Sequence, residues 1–385
     1  MIYLDNAAST PVHQKVVDEM IPYLMDQYGN PSSIHKFGRT ANSAIQAARR
    51  RIADLIGADA KEILLTSGGT ESNNTAIYGI ARRGKGRHVI TSSIEHDAVL
   101  EPCRLLEREG FKVTYLPVDK HGMVSVEDLS REITEDTCLI TIMFANNEVG
   151  TIQPIKEIAE MARRNGIPFH TDAVQAVGKV PISVNDLGID LLSISSHKIN
   201  GPKGVGALYI RKGLKISPLI LGGGQEGGLR SGTENVASIA GFGMACKMAK
   251  ENMDINARHF KSLSSKMISR VLSEIPESRL NGHPEKRIPN NAHFTFLGVN
   301  GEDLIIKLDE NKVAASTGSA CSVRIQKASH VLKAMGFSHE QVTGSLRLTV
   351  GTANTEEEID QTVDILKRVV HELRAVSPYK SKYNF

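Results

Sequence analysis

The chain has 385 residues, no tryptophan and only four cysteines, and aromatic residues make up 5% of it. Cys103, Cys138, Cys246 and Cys321 are widely spaced and form no Cys-x-x-Cys pair. That argues against a disulfide framework and against a structural zinc site. Charge of one sign is equally scarce. The 46 basic and 43 acidic residues leave a formal net charge of +3, too slight to suggest a nucleic-acid or polyanion partner. The longest basic tract, Arg49-Arg50-Arg51, lies inside a helical pattern. No apolar run approaches the roughly 18 residues that cross a bilayer, and no charged-then-apolar leader follows Met1. No membrane is therefore expected, and the cytoplasm is the expected compartment.

What the chain does have is glycine, 33 residues of it, and a regular alternation of segments. An arm at Met1–Thr10 precedes helical patterns at Val12–Met25 and Arg39–Ile56, with a turn-rich loop from Tyr28 to Gly38 between them. From there strands are predicted at Glu62–Thr66, His88–Thr91, Lys112–Leu116, Leu139–Phe144 and Pro168–His170. Helices are predicted between them at Thr70–Arg82, Val99–Glu109, Val126–Glu132 and Ile155–Asn165. Such alternation predicts an α/β fold with a mainly parallel sheet covered by helices on both faces. Ligands of such sheets bind beyond the carboxyl ends of the strands. Val236–Ile275 reads as strongly helical. After Pro276 come shorter mixed elements: strands Ala292–Phe296 and Ser345–Val350, helices Gly301–Asp309 and Thr355–Ala375. These predict a smaller α+β domain. The expected division is 1–14 as an arm joining the small domain, 15–250 as the large domain and 251–385 as the small one, with Pro378–Phe385 a frayed tail.

Two glycine-rich stretches imitate nucleotide sites. Gly222–Gly227 fits GxGxxG, but no amphipathic helix opens there. Gly79–Lys85 imitates a P-loop, but Gly86 stands where a Ser or Thr must hold magnesium, and a helix rather than a strand precedes it. The stretch Thr66-Ser67-Gly68-Gly69-Thr70 is different: it joins a strand to a helix, the geometry that aims free backbone N–H groups at an anion.

Asp190–Arg211 reads as an apolar strand, then Ser195-Ser196-His197-Lys198, a Gly/Pro-rich turn and a second strand. A lysine at the end of a buried strand is either a loop cation or an amine whose charge is disfavoured by burial, free to attack a carbonyl as Schiff-base lysines do. Asp172, 26 residues earlier after Ile167–Thr171, either caps a helix opening at Ala173 or supplies the carboxylate that keeps a pyridinium protonated. Amine, carboxylate and phosphate turn together suit pyridoxal phosphate.

The segments Ser92–Leu100 (SSIEHDAVL), Ala145–Ile155 (ANNEVGTIQPI), His170–Lys179 (HTDAVQAVGK) and Ser195–Gly206 (SSHKINGPKGVG) resemble the class-V, fold-type-I pyridoxal-phosphate enzymes. With Leu229–Asn235 (LRSGTEN) and Ser316–Ser322 (STGSACS) the chain is similar to NifS/IscS-type cysteine desulfurases, from Leu4 to Asp360. The resemblance implies Lys198 as the Schiff-base lysine, His96 stacked on the ring and assisting proton transfer, Asp172 on the pyridinium and Gln175 on the phenolic oxygen. It implies Gly69, Thr70, Ser195 and His197 on the phosphate, and Thr233 reaching the phosphate of the other subunit of a homodimer. Asn147 and Arg347 would hold the substrate carboxylate; Asn147 also belongs to the cofactor-binding set.

Three of the cysteines sit in apolar helices or strands and read as packing residues. Cys321, among Ser316, Thr317, Gly318, Ser319, Ala320 and Ser322, has no large apolar neighbour and reads as a reactive thiol. The resemblance makes it the nucleophile that takes sulfur from L-cysteine, leaving L-alanine and a persulfide. It implies transfer to an iron–sulfur scaffold or another acceptor, with a 2Fe-2S cluster shared transiently through Cys321. The chain departs from many relatives in carrying Gln326-Lys327-Ala328, not a Glu-Pro pair, before Ser329-His330. A selenocysteine lyase, or another class-V lyase with the same lysine, is the alternative; a non-catalytic protein of the same fold is a further one.

Overall fold

The computed structural model describes residues 1–317 and 328–378. Seven strands form the large sheet. Across it the order is Ile63–Thr66, Gly206–Ile210, Leu191–Ser195, Phe169–Asp172, Thr137–Thr141, His88–Ser92 and Lys112–Leu116. Gly206–Ile210 runs antiparallel to both of its neighbours and the other six strands are mutually parallel. Six of the seven are buried at every position, as strands covered on both faces must be, and the exception is the edge strand Lys112–Leu116. The sequence placed one strand at Leu139–Phe144. The ladder ends at Thr141, yet Ile142 and Phe144 still donate to the His170 and Asp172 carbonyls, so the strand frays rather than stops. The strand expected at Pro168–His170 lies at Phe169–Asp172, paired with Leu191–Ser193, which puts Asp172 at its carboxyl end.

The helix expected from Arg39 begins at Lys36, because the His35 side chain accepts from Gly38 N–H and caps it one turn earlier. Histidine is not among the usual capping residues, so no start signal stands out there. The far end is a glycine stop: Gly57 has φ +70°, a left-handed conformation that other residues adopt at a cost. Ala41, Ile45, Ala48 and Ile52 make its buried stripe against the helix Val236–Glu251.

The long helical stretch is two helices, Val236–Glu251 and Met253–Glu274, which meet at Asn252. The first buries Ile239, Phe242 and Cys246 in the core of the large sheet. The second buries Phe260, Leu263, Met267 and Val271 in a separate core with Phe294, Leu346, Leu348 and Val363. That second core lies against a three-stranded antiparallel sheet in the order Ser345–Thr349, Asn291–Phe296, Ser278–Leu280, covered also by Gly301–Glu310 and Glu356–Ala375. The fold is thus α/β, a mostly parallel sheet covered by helices, with a smaller α+β part.

A pairing too short to read in sequence joins the first residues to this smaller part. Ile2–Tyr3 runs parallel to Val313–Ala314, Asp5 bridges Thr349, and Leu4 is fully buried in the second core. Among the described residues no helix is long and apolar enough to cross a membrane.

Candidate active site

The carboxyl ends of the parallel strands converge on a cavity of about 290 Å³. Gly69, Thr70, His96, Asn147, Asp172, Gln175, Ser195, His197, Lys198 and Arg347 all line it, so ten of the residues picked from sequence share one space.

One wall starts at the turn after Ile63–Thr66. Its helix, Gly69–Ala81, has Gly68 as N-cap with no side-chain cap, which leaves first-turn N–H groups open to an anion. Two further observations fit a phosphate there. Thr66 and Ser195 both pair with Gly206, so their strand ends stand side by side. A Cβ on Gly206 would lie 2.7 Å from Gly68 Cα and 2.5 Å from Ile194 O, so the turn closes down on a residue that must lack a side chain.

Lys198 follows the buried strand Leu191–Ser195 in a single 3₁₀ turn, Ser196–Lys198. Its Nζ donates to the Ala7 carbonyl at 2.5 Å and the Ala8 carbonyl at 2.8 Å. The amine is therefore aimed into the cavity by the N-terminal arm. His197 Nδ1 lies 3.3 Å from Ser9 Oγ, and burial, with the Lys198, Lys203 and Lys179 charges, pulls its pKa down to about 4.

No helix opens at Ala173; the chain passes through a run of turns there. Asp172 instead accepts from Val174 N–H at 3.0 Å and from Asn73 Nδ2 at 2.6 Å. A carboxylate has about four lone-pair sites, so it retains capacity for one more donor in the cavity it lines. A buried carboxylate at a strand end, an amine and an open helix N-terminus around one cavity fit pyridoxal phosphate. His96 is the N-cap of Asp97–Arg108, and its Nδ1 accepts from Ala98 N–H at 3.0 Å. That bond leaves the proton of the neutral ring on Nε2.

The opposite wall is the buried guanidinium of Arg347, from the strand Ser345–Thr349. It donates to Asn147 O at 2.8 Å and to Asp5 Oδ1 at 2.9 Å. Its planar fork suits a carboxylate. Thr233 is exposed and does not line this cavity. Cys321 lies outside the described residues. The residues on either side of that segment touch the cavity wall: Ser316 exchanges backbone bonds with Arg347, and Ser329 Oγ donates to Glu148 Oε2 at 2.6 Å. Cys103, Cys138 and Cys246 are buried, and burial raises all three thiols, Cys103 to about 12 and Cys138 to about 11. None of them is an accessible thiolate. Among the described residues no His, Cys, Asp and Glu group could hold a metal ion.

Sequence reasoning missed several contributors. The Ala7 and Ala8 carbonyls act through backbone and carry no side-chain signal. Asn73, which steadies Asp172, lies four residues after Gly69, one turn along the same helix, and that spacing was available. Glu95 and Glu148 are buried carboxyls, and Glu148 lines the cavity. Burial pushes Glu95 up to about 8 against bonds from Ser92 and Met143 N–H, and Glu148 is likewise raised by burial. Burial also pulls the Lys179 amine down to about 7, helped by the Lys198 and Arg347 charges. His330 reaches back to Glu95 O at 2.9 Å and lines the cavity.

Comparison with known proteins agrees with this geometry. Residues 2–362 match the family model described as aminotransferase class-V. A cysteine desulfurase IscS of Methanosarcina thermophila is 53% identical over 99% of this chain and 95% of its own length. The chain belongs to the aminotransferase class-V family, among the cysteine desulfurases. Another family member, the cysteine desulfurase IscS of Dictyoglomus turgidum, is 51% identical over 99% of this chain and 98% of its own. A solved NifS-like protein superposes with a TM-score of 0.91 at 39% identity, covering 96% of this chain and 99% of that one.

Proposed function

We propose that the protein is a pyridoxal-phosphate-dependent cysteine desulfurase that converts L-cysteine to L-alanine and carries the sulfur as a persulfide on Cys321. The observation that supports this best is one cavity holding an amine, a buried carboxylate and an open helix N-terminus on one wall and a carboxylate-binding arginine on the other. When bound, the cofactor supplies an electron sink that weakens the bond between Cβ and sulfur of the substrate.

The chain's own residues do the rest. Gly69, Thr70, Ser195 and His197 would hold the phosphate, Asp172 the pyridinium and Gln175 the phenolic oxygen. Lys198 Nζ would hold the cofactor's aldehyde and would take and return the substrate α-proton. His96, with its proton on Nε2, would stack on the ring and assist that transfer. Arg347 and Asn147 orient the amino-acid carboxylate, Arg347 through two parallel N–H donors. The Cys321 thiolate attacks the substrate sulfur. The carbon–sulfur bond breaks, its electron pair stays with carbon and takes a proton, and a sulfur–sulfur bond forms. Cysteine plus the thiol thus gives alanine plus the persulfide, and no outside oxidant is needed.

Finer assignments belong with this reading. Residues 1–14 form an arm that joins a small domain at 251–385, and 15–250 form the cofactor-binding domain. Thr233, exposed in the single chain, reaches the phosphate of a second copy in a homodimer. The sulfur passes to an iron–sulfur scaffold or similar acceptor in the cytoplasm, with a 2Fe-2S cluster shared transiently through Cys321.

The decisive experiment is mass spectrometry of the holoenzyme after incubation with L-cysteine. One added sulfur on the peptide containing Cys321 is expected. A Cys321→Ser variant that keeps its cofactor colour and still releases sulfide at the wild-type rate with dithiothreitol would overturn the assignment.

A further inference from the structure

Beside the cofactor wall lies a second lysine that the chemistry above leaves unused. Lys179 is 4% exposed and stands four residues after Gln175. Its Nζ donates to Gln175 Oε1 at 3.0 Å and to the Gln175 main-chain oxygen at 3.0 Å. At the other end of the same amide, Gln175 Nε2 donates to Ala7 O at 3.0 Å.

These bonds have only one chemical sense. A lysine amine beside a carbonyl donates, and Oε1 is the sole side-chain acceptor of glutamine. Ala7 O can only accept, so the NH₂ group must face it. The amide is fixed at both ends, and its second N–H remains for a group in the cavity that Gln175 lines. We propose that Lys179 is a positioning residue that locks the Gln175 amide so that an N–H, never the oxygen, meets the phenolic oxygen of the cofactor. This rests on the role proposed above for Gln175. A flipped amide would set oxygen against phenolate oxygen, exchanging an attraction for a repulsion.

Two further observations bear on the form of the lysine. Its two bonds match the two N–H groups of an uncharged amine, and the fall of its pKa to about 7 favours that form near neutrality. Lys179 then acts through a directed bond more than through its field.

The test is a double-mutant cycle on the holoenzyme with pyridoxal phosphate as the probe: Lys179→Met, Gln175→Ala and the pair together. The readouts are the midpoint of the pH titration of the bound cofactor's visible band and the equilibrium constant for cofactor release. Each single change should weaken retention roughly tenfold, the size of one lost hydrogen bond to a charged oxygen. Each should move the midpoint the same way by about one unit. The pair should be no worse than Gln175→Ala alone, and Lys179→Gln, which keeps an N–H donor, should restore at least half of the shift. Effects of Lys179→Met that add to those of Gln175→Ala, or no effect at all, or no recovery in Lys179→Gln, would overturn the proposal while the Gln175 role stands. Gln175→Ala without consequence would remove that role and the proposal with it. Lys179→Ala replaces Lys179→Met in the cycle if the methionine variant does not fold.

Discussion

The cofactor wall of the cavity comes from residues 69–73, 172–175 and 195–198, each directly after a buried strand of one sheet. The substrate wall joins Arg347 to Asp5, 342 positions away in the chain, and to Asn147 of the large sheet's loops. The first wall is a product of local order: once the parallel ladder forms, its strand ends are side by side and their turns are aligned. The second exists only when the N-terminal arm and the small antiparallel sheet have closed over the first. On the roles proposed above, the cofactor turns come from one sheet and the substrate arginine from the other, with the arm bonded to both, and variants in the two sheets should divide accordingly.

The largest effect is expected on the cofactor wall. Lys198→Ala should lower cysteine turnover by roughly a thousandfold or more and abolish the visible band of the bound cofactor. An unchanged spectrum would break the assignment of that wall at its centre. On the other side, Arg347→Lys keeps the charge but loses the fork. It should reduce kcat/KM for cysteine by about a hundredfold while the visible band persists. Equal loss of cofactor would mean the walls are not separable.

Gly206→Ala probes what the first wall is built on. A methyl group there meets Gly68 Cα and Ile194 O, backbone that cannot rotate away, so a stability loss of about 2 kcal/mol in urea titration is expected, with weaker cofactor retention. The smallest effect concerns pH. The carboxyl of Glu95 is raised to about 8 by burial, far above its unfolded value, so the folded state binds the extra proton between about 4.5 and 8. Its ionisation costs nothing below that window and destabilises increasingly as pH rises through it. Glu95→Gln should therefore flatten the fall in stability between pH 5 and 8. A melting-temperature series at those pH values that runs parallel to wild type would show that Glu95 does not titrate as the burial implies.

The same division explains what could be read from sequence. Lys198, Asp172 and the Gly69 turn were legible because strand period, turn residues and position along one sheet all point to the same end. A helix opening at Ala173 is the alternative reading of Asp172, whose side chain can cap, but the chain there makes turns and the carboxylate bonds Val174 N–H within them. The helix break at Asn252 carries no Pro or Gly, and only the change of packing partner from Phe242 to Phe260 reveals it. Arg347 was found through family resemblance, since no local pattern distinguishes it from a strand-edge charge. Ala7 and Ala8 act through carbonyls that every residue possesses, so no choice of side chain could announce them.

The arm from Ile2 to Thr10 has a consequence for how Lys198 is aimed. It comes early in the sequence, yet part of its resting place is made by Val313, Ala314 and Thr349, far later in it. Its other anchors are on the large sheet's side: Thr10 donates to the His197 carbonyl, and Ala7 accepts from Gln175 and from Lys198. The amine of Lys198 thus takes its aim from a strap pinned at both ends to different sheets, and loosening either pin should blunt that aim.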